Sequence, residues 1–189
     1  MTEIGKIKRI HGFSLKSIKD NHNNIKNIIP NARFYNGNAL KITTKQKFDL
    51  IISNAMFQWF ENLDKVCEKF KPMINKNGII AFTTFAPDNY KEMADLTGIS
   101  LKYKSFDEVK TICSKYFKVK YMEEYKQTLK YLTPLELLAH MKNTGVNSIT
   151  QKHWTIKEVK TFCNKCSRIY DVPKLTYSAI IFIGKMPDF

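Results

Sequence analysis

The stretch FDLIISNAMFQWF, residues 48–60, begins as an apolar run and ends among polar residues. Residues 48–52 are apolar apart from Asp49, a pattern that predicts a short buried strand. Ser53-Asn54-Ala55 interrupts the run, and Gln58-Trp59 follows inside a second apolar stretch. Because ligands in open α/β sheets bind beyond the carboxyl ends of strands, we interpret this loop as the rim of a site. The alternative is a polar strand end followed by a turn with a packed tryptophan.

The first half of the chain predicts alternating strands and helices. Short apolar segments predict strands at 7–13, 32–35 and 48–53. Helices are expected from Ser14 to Pro30 and from Leu63 to Phe70. Asn77-Gly78 indicates a turn, and the run 79–85 predicts a strand buried on both faces of a parallel sheet. This order is typical of a doubly wound α/β sheet.

The second half carries three capping-box patterns, in which a Ser or Thr is followed three residues later by Glu. They begin at Ser105, Thr133 and Thr155, and Pro134 stands at the first helical position of the second. Alternation over 117–128 and the apolar run 175–184 indicate strands. With no repeat or Gly/Ser-rich linker, we expect one domain over residues 1–189, with a helical insertion at about 86–160.

Composition narrows the class of protein. The chain has 189 residues, 43% of them hydrophobic and 25% charged, which is typical of a globular domain. No apolar run reaches the roughly 18 residues that a membrane span needs, and the charged start does not resemble a signal peptide. We therefore expect a soluble, cytoplasmic protein. The net charge of +14 is spread along the chain without one dense basic cluster, so an acidic protein partner or an anionic substrate explains it as well as nucleic acid does.

Cys163 and Cys166 form a C-x-x-C pair, the spacing of zinc and redox sites. A zinc site needs a second ligand pair, which His140 and His153 do not supply. Because the pair lies within a helical pattern, we predict that both thiols share one packed face and that the chain has no metal site.

Two segments together resemble a known family. FDLIISNAMFQW, followed by KPMINKNGIIAFTTF, resembles the fourth and fifth strands of class I S-adenosylmethionine-dependent methyltransferases. More narrowly, the Ser-Asn…Gln-Trp and A-F-T-T motifs resemble the malonyl-acyl-carrier-protein methyltransferases of biotin synthesis. The similarity extends through LELLAHMKNTGVNS and LTYSAIIFIGK, and so covers about 10 to 185. It implies a Rossmann-like methyltransferase sheet.

The chain departs from that family at its start. The family opens with a strand and a glycine-rich E/D-x-G-x-G-x-G turn, and this chain has no such motif. We therefore expect a sheet that lacks the first strand, leaving apolar strand edges unpaired, in a domain that is incomplete at the N-terminus. Ser14 stands where the family has an acid for the ribose, and Asn38 where it has an acid for adenine.

The resemblance also implies a site and a function. Cofactor-binding residues would be Gly12, Phe13, Ser14, Asn38, Ala39, Ser53, Asn54 and Ala55. Gln58, Trp59 and Tyr177 would line the methyl-transfer cleft, although a strand tyrosine also suits a core. The expected cofactor is S-adenosylmethionine, and the expected substrate is the free carboxyl of a malonyl thioester on an acidic acyl carrier protein or coenzyme A. A non-catalytic remnant or binding module and, on charge alone, an RNA-directed relative remain alternatives.

Overall fold

The computed structural model of the protein describes the backbone of residues 11–14 and 33–36, and both backbone and side chains of 38–144 and 154–187. The chain forms two compact units, residues 1–46 and 47–189. The helix predicted from Ser14 to Pro30 lies outside the described residues.

The described residues of the first unit include two short parallel strands. Strand β1 (His11–Ser14) pairs with β2 (Arg33–Asn36), in register from His11 opposite Arg33 to Ser14 opposite Asn36. A single 3-10 turn, Ala39–Lys41, follows; the side-chain oxygen of Asn38 caps it by accepting a hydrogen bond from the Leu40 N–H at 2.9 Å. β2 lies within one residue of its predicted bounds, whereas β1 begins four residues after and ends one residue after the predicted strand.

The second unit contains a four-stranded mixed sheet in the order β3-β4-β6-β5. Its strands are β3 (Phe48–Ser53), β4 (Ile74–Phe85), β5 (Lys118–Lys130) and β6 (Lys174–Lys185). β3 and β4 run parallel, whereas β6 runs antiparallel to both β4 and β5. The start of β6 therefore lies at the same end of the sheet as the carboxyl ends of β3 and β4. The α/β fold is confirmed, and β5 joins this sheet from within the region expected to be a helical insertion.

Five helices are described in the second unit: α1 (Leu63–Phe70), α2 (Lys91–Thr97), α3 (Phe106–Ser114), α4 (Pro134–Asn143) and α5 (Ile156–Ile169). The capping boxes that begin at Ser105 and Thr155 are confirmed. The remaining box, which begins at Thr133, is only half formed. The Thr133 hydroxyl accepts a hydrogen bond from the Glu136 N–H, but the Glu136 carboxyl accepts from the N–H of Leu132 and not from that of Thr133. The pattern of the sequence did not predict α2.

Two predictions about β4 are wrong. Asn77-Gly78 does not separate β4 from the preceding helix, because β4 runs from Ile74 without a break. The pairing with β3 jumps from Phe48–Ile74 to Leu50–Ile79, so the intervening residues form a bulge in which Asn77 takes a φ of 67°. β4 is also not buried on both faces: fully buried residues alternate with half-buried ones from Ile80 to Phe85.

Strand β3 forms one edge of the four-stranded sheet, and in the described part of the chain it pairs with β4 alone. Its side chains Leu50 and Ile52 remain 48% and 70% exposed. An edge strand with exposed apolar side chains can pair with a further strand.

Two groups of apolar side chains bury the helices against the sheet. One is aromatic, with Phe82 stacked on Phe182 at 5.0 Å between ring centroids and in contact with Phe57 at 4.6 Å. The other surrounds the fully buried Leu137 and Leu175 and contains Cys166, with Cys163 packed against it. The prediction that the C-x-x-C pair packs on a helix face is thereby confirmed.

Candidate functional site

The loop after β3 is tied to β4 through one threonine. The Ala55 N–H donates to Oγ1 of Thr83 at 2.9 Å, and the same hydroxyl donates to Oδ1 of Asn54 at 2.5 Å. Ala55 has a φ of 47°, a left-handed conformation that a non-glycine residue adopts only where the surroundings enforce it. Thr83 belongs to the A-F-T-T segment, so the two motifs that carried the family resemblance are directly bonded to each other.

Two buried oxygens at this loop lack a hydrogen-bond partner among the described residues. One is Oγ of Ser53, which is only 9% exposed, and the other is Oε1 of Gln58. The Gln58 amide nitrogen donates to the Ala55 carbonyl, which folds the side chain back onto the loop. Because buried polar groups are normally paired, these oxygens identify the loop as a place where a ligand can supply the missing bonds.

Gln58 and Trp59 lie in the 3-10 turn Phe57–Trp59. Phe57 is the anchor of this turn, since its buried ring stacks against Phe70 with 5.9 Å between ring centroids. Trp59 is half-exposed and is therefore not the packed tryptophan of the alternative interpretation.

Tyr177 lies at the start of β6, two residues before the Ala179 that pairs with Phe85. It is thus at the same end of the sheet as Ser53. Its hydroxyl is 2.7 Å from Nε2 of His140, and its ring meets that of Tyr90 edge-on at 5.0 Å. The hydrogen bonds and ring contacts described for Tyr177 are with these residues, not with Gln58 or Trp59.

The residues on either side of Tyr177 are fixed by the segment 86–92. Glu92, 1% exposed, accepts from the Thr176 N–H at 2.8 Å and from its hydroxyl at 2.7 Å. Buried Asn89 accepts from the Ser178 N–H, while the Ser178 carbonyl accepts from Ala86. We call these contacts the β6 clamp. The sequence carries no signal for the roles of Asn89 and Glu92, because contacts this far apart in the chain leave no local pattern.

A second tyrosine extends this region. The hydroxyl of Tyr131 is buried and has no hydrogen-bond partner among the described residues, and its ring lies 5.5 Å from that of His140. Burial, together with neighbouring Tyr177, raises the pKa of Tyr131. Burial and a hydrogen bond to Tyr177 raise the pKa of Tyr90. Both phenols therefore remain protonated donors at neutral pH.

The remaining predicted cofactor residues lie in the first unit. Gly12, Phe13 and Ser14 stand at the end of β1, where only the backbone is described. The Asn38 side-chain oxygen caps the turn after β2, and Ala39 is buried there. Their part in a cofactor site stays a prediction, as do the roles of the second-unit residues.

Neither a metal cluster nor a membrane-spanning helix is present in the described parts of the chain. No three His, Cys, Asp or Glu side chains within them are placed to hold a metal ion. No helix among the same residues is long and apolar enough to cross a membrane.

Comparison with known proteins assigns the family. The family model described as "Methyltransferase domain" matches residues 12–161, most of the chain. The chain belongs to the methyltransferase domain family. The match includes both the Ser53 loop and the Thr83 segment that hold each other in place.

Among curated relatives, this methyltransferase-domain chain is similar to malonyl-[acyl-carrier protein] O-methyltransferases. It is 35% identical over 156 residues to that of Haemophilus influenzae, covering 80% of this chain and 60% of the relative. It is 34% identical over 152 residues to that of Calditerrivibrio nitroreducens, covering 79% of this chain and 62% of the relative. The narrower resemblance is confirmed. The chain spans about three fifths of the length of these relatives.

Solved structures confirm the fold. The YcgJ protein of Bacillus subtilis superposes with a TM-score of 0.67 at 12% identity, covering 96% of this chain and 84% of that one. The [4+2]-cyclase SpnF superposes with a TM-score of 0.59 at 11% identity, covering 96% and 67%. Since one neighbour is named as a cyclase, the shared Rossmann-like fold does not by itself determine the reaction.

Proposed function

We propose that this protein is an S-adenosylmethionine-dependent O-methyltransferase that esterifies the free carboxyl of a malonyl thioester in biotin synthesis. The observation that supports this most directly is the 34–35% identity to enzymes named for that activity. Within the described residues, the loop braced by Thr83 and the clamped Tyr177 lie at the same end of one sheet. Ligands of open α/β sheets bind at this end.

The Ser53 loop, Ser53-Asn54-Ala55, is the proposed contact for the methionine part of the cofactor. Its side chains are small, and the Ser53 hydroxyl is buried with a free hydrogen-bonding capacity. In the second unit, the proposed cofactor-binding residues are Ser53, Asn54 and Ala55. Gly12, Phe13, Ser14, Asn38 and Ala39 of the first unit are proposed as cofactor-binding residues from the family resemblance alone. S-adenosylmethionine, when bound, supplies a methyl group on a positively charged sulfur.

The reaction does not require general acid–base catalysis by the protein. A carboxylate oxygen is already a nucleophile, so no general base has to remove a proton. The tasks left to the chain are to orient the carboxylate toward the methyl group and to exclude water from the approach. Gln58 and Trp59, on the turn that follows the Ser53 loop, are the proposed wall of this cleft.

The basic surface suits an anionic substrate carrier. With 31 basic against 17 acidic residues, the chain would attract an acidic acyl carrier protein or the phosphates of coenzyme A. Such complementarity acts mainly on the association rate and on specificity. A cytoplasmic location is part of the same proposal, and the free state of all four cysteines agrees with a reducing compartment.

Calorimetric titration with S-adenosylhomocysteine tests the cofactor part of the proposal. We expect a saturable heat of binding. The absence of heat at about millimolar ligand, where even weak binding of roughly 4 kcal/mol would register, would contradict an enzymatic role for this chain. That result would favour a binding module that keeps the fold without the cofactor.

A further inference from the structure

Four polar aromatic side chains meet at the end of the sheet where Ser53 and Phe85 lie. We call Tyr90, Tyr131, His140 and Tyr177 the tyrosine–histidine cluster. Nε2 of His140 is 2.7 Å from the Tyr177 hydroxyl, and Tyr131 and Tyr90 contact this pair through their rings. The members come from four separate places in the chain, before α2, before α4, within α4 and at the start of β6.

The cluster has hydrogen-bonding capacity that the described residues do not use. The Tyr131 hydroxyl is buried without a partner among them, a costly arrangement unless a ligand or solvent completes it. With a hydrogen on Nε2, His140 donates to the Tyr177 oxygen, as the Tyr90 hydroxyl does, and these two bonds leave the phenol hydrogen of Tyr177 for a ligand. Tyr131 and Tyr177 can therefore both act as donors toward an acceptor.

The cluster is held in a fixed geometry. The β6 clamp bonds the backbone on both sides of Tyr177. Tyr90 adopts a left-handed conformation with a φ of 57°, and its N–H donates to the Thr176 carbonyl at 2.7 Å. Left-handed tyrosines are uncommon, and strain of this kind concentrates at binding sites.

We infer that Tyr131 and Tyr177, with His140 positioning Tyr177, bind the free carboxylate of the acyl thioester substrate, an inference that rests on the proposed function. A carboxylate offers about four acceptor positions on two oxygens. Two phenol donors can hold one oxygen and leave the other exposed to the methyl group. As neutral donors, phenols also withdraw less charge from the attacking oxygen than a salt bridge to Lys or Arg does.

This arrangement predicts selection for a substrate with a free carboxylate. An acetyl thioester has no such group, so its binding would leave the buried Tyr131 hydroxyl unpaired. A site built to hydrogen-bond one polar group discriminates strongly against analogues that lack it.

Calorimetric titration with malonyl-pantetheine and acetyl-pantetheine, both in the presence of S-adenosylhomocysteine, tests the inference. We expect the wild-type chain to bind the malonyl thioester at least about tenfold more tightly. Tyr131→Phe and Tyr177→Phe should each weaken malonyl binding by about tenfold and leave acetyl binding unchanged. Tyr116→Phe is the matched control, because the Tyr116 hydroxyl bonds to Asp64 and Glu68 on α1.

Two results would overturn the inference: normal malonyl binding by Tyr131→Phe and Tyr177→Phe, or a parallel loss of malonyl and acetyl binding. Circular dichroism confirms that each variant is folded. The outcome separates the inference from the function on which it rests. A wild-type chain that selects malonyl but never transfers a methyl group refutes the proposed function and supports the carboxylate site. A wild-type chain that methylates malonyl while the variants bind it normally refutes the site alone.

Discussion

Replacing Glu92 tests whether the β6 clamp stabilises the fold beside Tyr177. Glu92 is 1% exposed and accepts two hydrogen bonds from Thr176, one from the backbone N–H at 2.8 Å and one from the hydroxyl at 2.7 Å. In Glu92→Ala the buried N–H loses its acceptor, whereas the hydroxyl can turn toward Oγ1 of Thr128, 3.0 Å away. Loss of the N–H bond therefore lowers the free energy of unfolding more than loss of the hydroxyl bond does.

The magnitude follows from these contacts. A buried N–H left unpaired costs about 1–3 kcal/mol, and the lost hydroxyl bond about 1 kcal/mol. Removal of the buried methylene adds about 0.8 kcal/mol. We expect Glu92→Ala to lower the free energy of unfolding by about 3–5 kcal/mol and the melting temperature by about 10 °C. Glu92→Gln keeps one acceptor oxygen and should cost about 1–2 kcal/mol.

Urea denaturation followed by circular dichroism measures these changes, with the slope m showing whether the denatured state has changed. Glu61→Ala is the matched control, since Glu61 is exposed and its loss should stay within about 0.5 kcal/mol. A loss below about 1 kcal/mol for Glu92→Ala would show that the clamp does not stabilise the start of β6.

Three other changes probe the loop, the sheet and the thiols. Thr83→Val leaves the Ala55 N–H without its acceptor and should weaken S-adenosylhomocysteine binding about tenfold in calorimetry. Gly184→Ala would place a Cβ 2.8 Å from that of Phe117 and should lower the free energy of unfolding, measured in urea, by about 1–3 kcal/mol. The hydrogen bond that Cys113 shares with Cys67, together with burial, raises the pKa of Cys113, so its thiol should resist iodoacetamide in the native protein, as read by peptide mass spectrometry. The same shift should make the free energy of unfolding fall as the pH rises above about 8.5, where an unfolded thiol ionises.

Each of these three predictions has a matched control and an outcome that would contradict it. Thr161→Val removes an exposed helix hydroxyl and should leave S-adenosylhomocysteine binding unchanged. An equal loss of binding in both threonine variants would show that Thr83 has no specific role. Gly98→Ala is the control for Gly184→Ala, because φ at Gly98 is 72° and no atom lies near an added Cβ, so this change measures backbone strain alone. An equal loss in the free energy of unfolding for both variants would argue against the predicted clash at Gly184. Half-buried Cys163 should be alkylated before Cys113, and the reverse order would contradict the assigned burial.

Local signals in the sequence predicted much of the second unit. Capping boxes act within four residues, so Ser105 and Thr155 marked their helices correctly. The apolar run at 48–53 gave β3 its observed bounds. Helix α2 escaped prediction because its cap is Tyr90 in a left-handed conformation, with no capping side chain and only seven residues to show a period.

The parts that the sequence could not supply depend on contacts between distant residues. Glu92 and Thr176 are 84 positions apart, and Ala55 and Thr83 are 28 apart. Nothing local indicates that these groups meet. Asn77-Gly78 shows the converse error, because a strong turn dipeptide was accommodated as a bulge within a strand that pairs on both sides of it. The pairing of strands, set by the whole sheet, overrode the local preference.

An assay of labelled methyl transfer from S-adenosylmethionine shows whether this chain methylates a free carboxylate. The chain is incubated with malonyl- and acetyl-acyl carrier protein in parallel, and label that alkali releases as methanol is counted, since a carboxyl methyl ester is alkali-labile. The account predicts alkali-labile label on the malonyl protein alone. Label on neither carrier, or equal label on both, would contradict it.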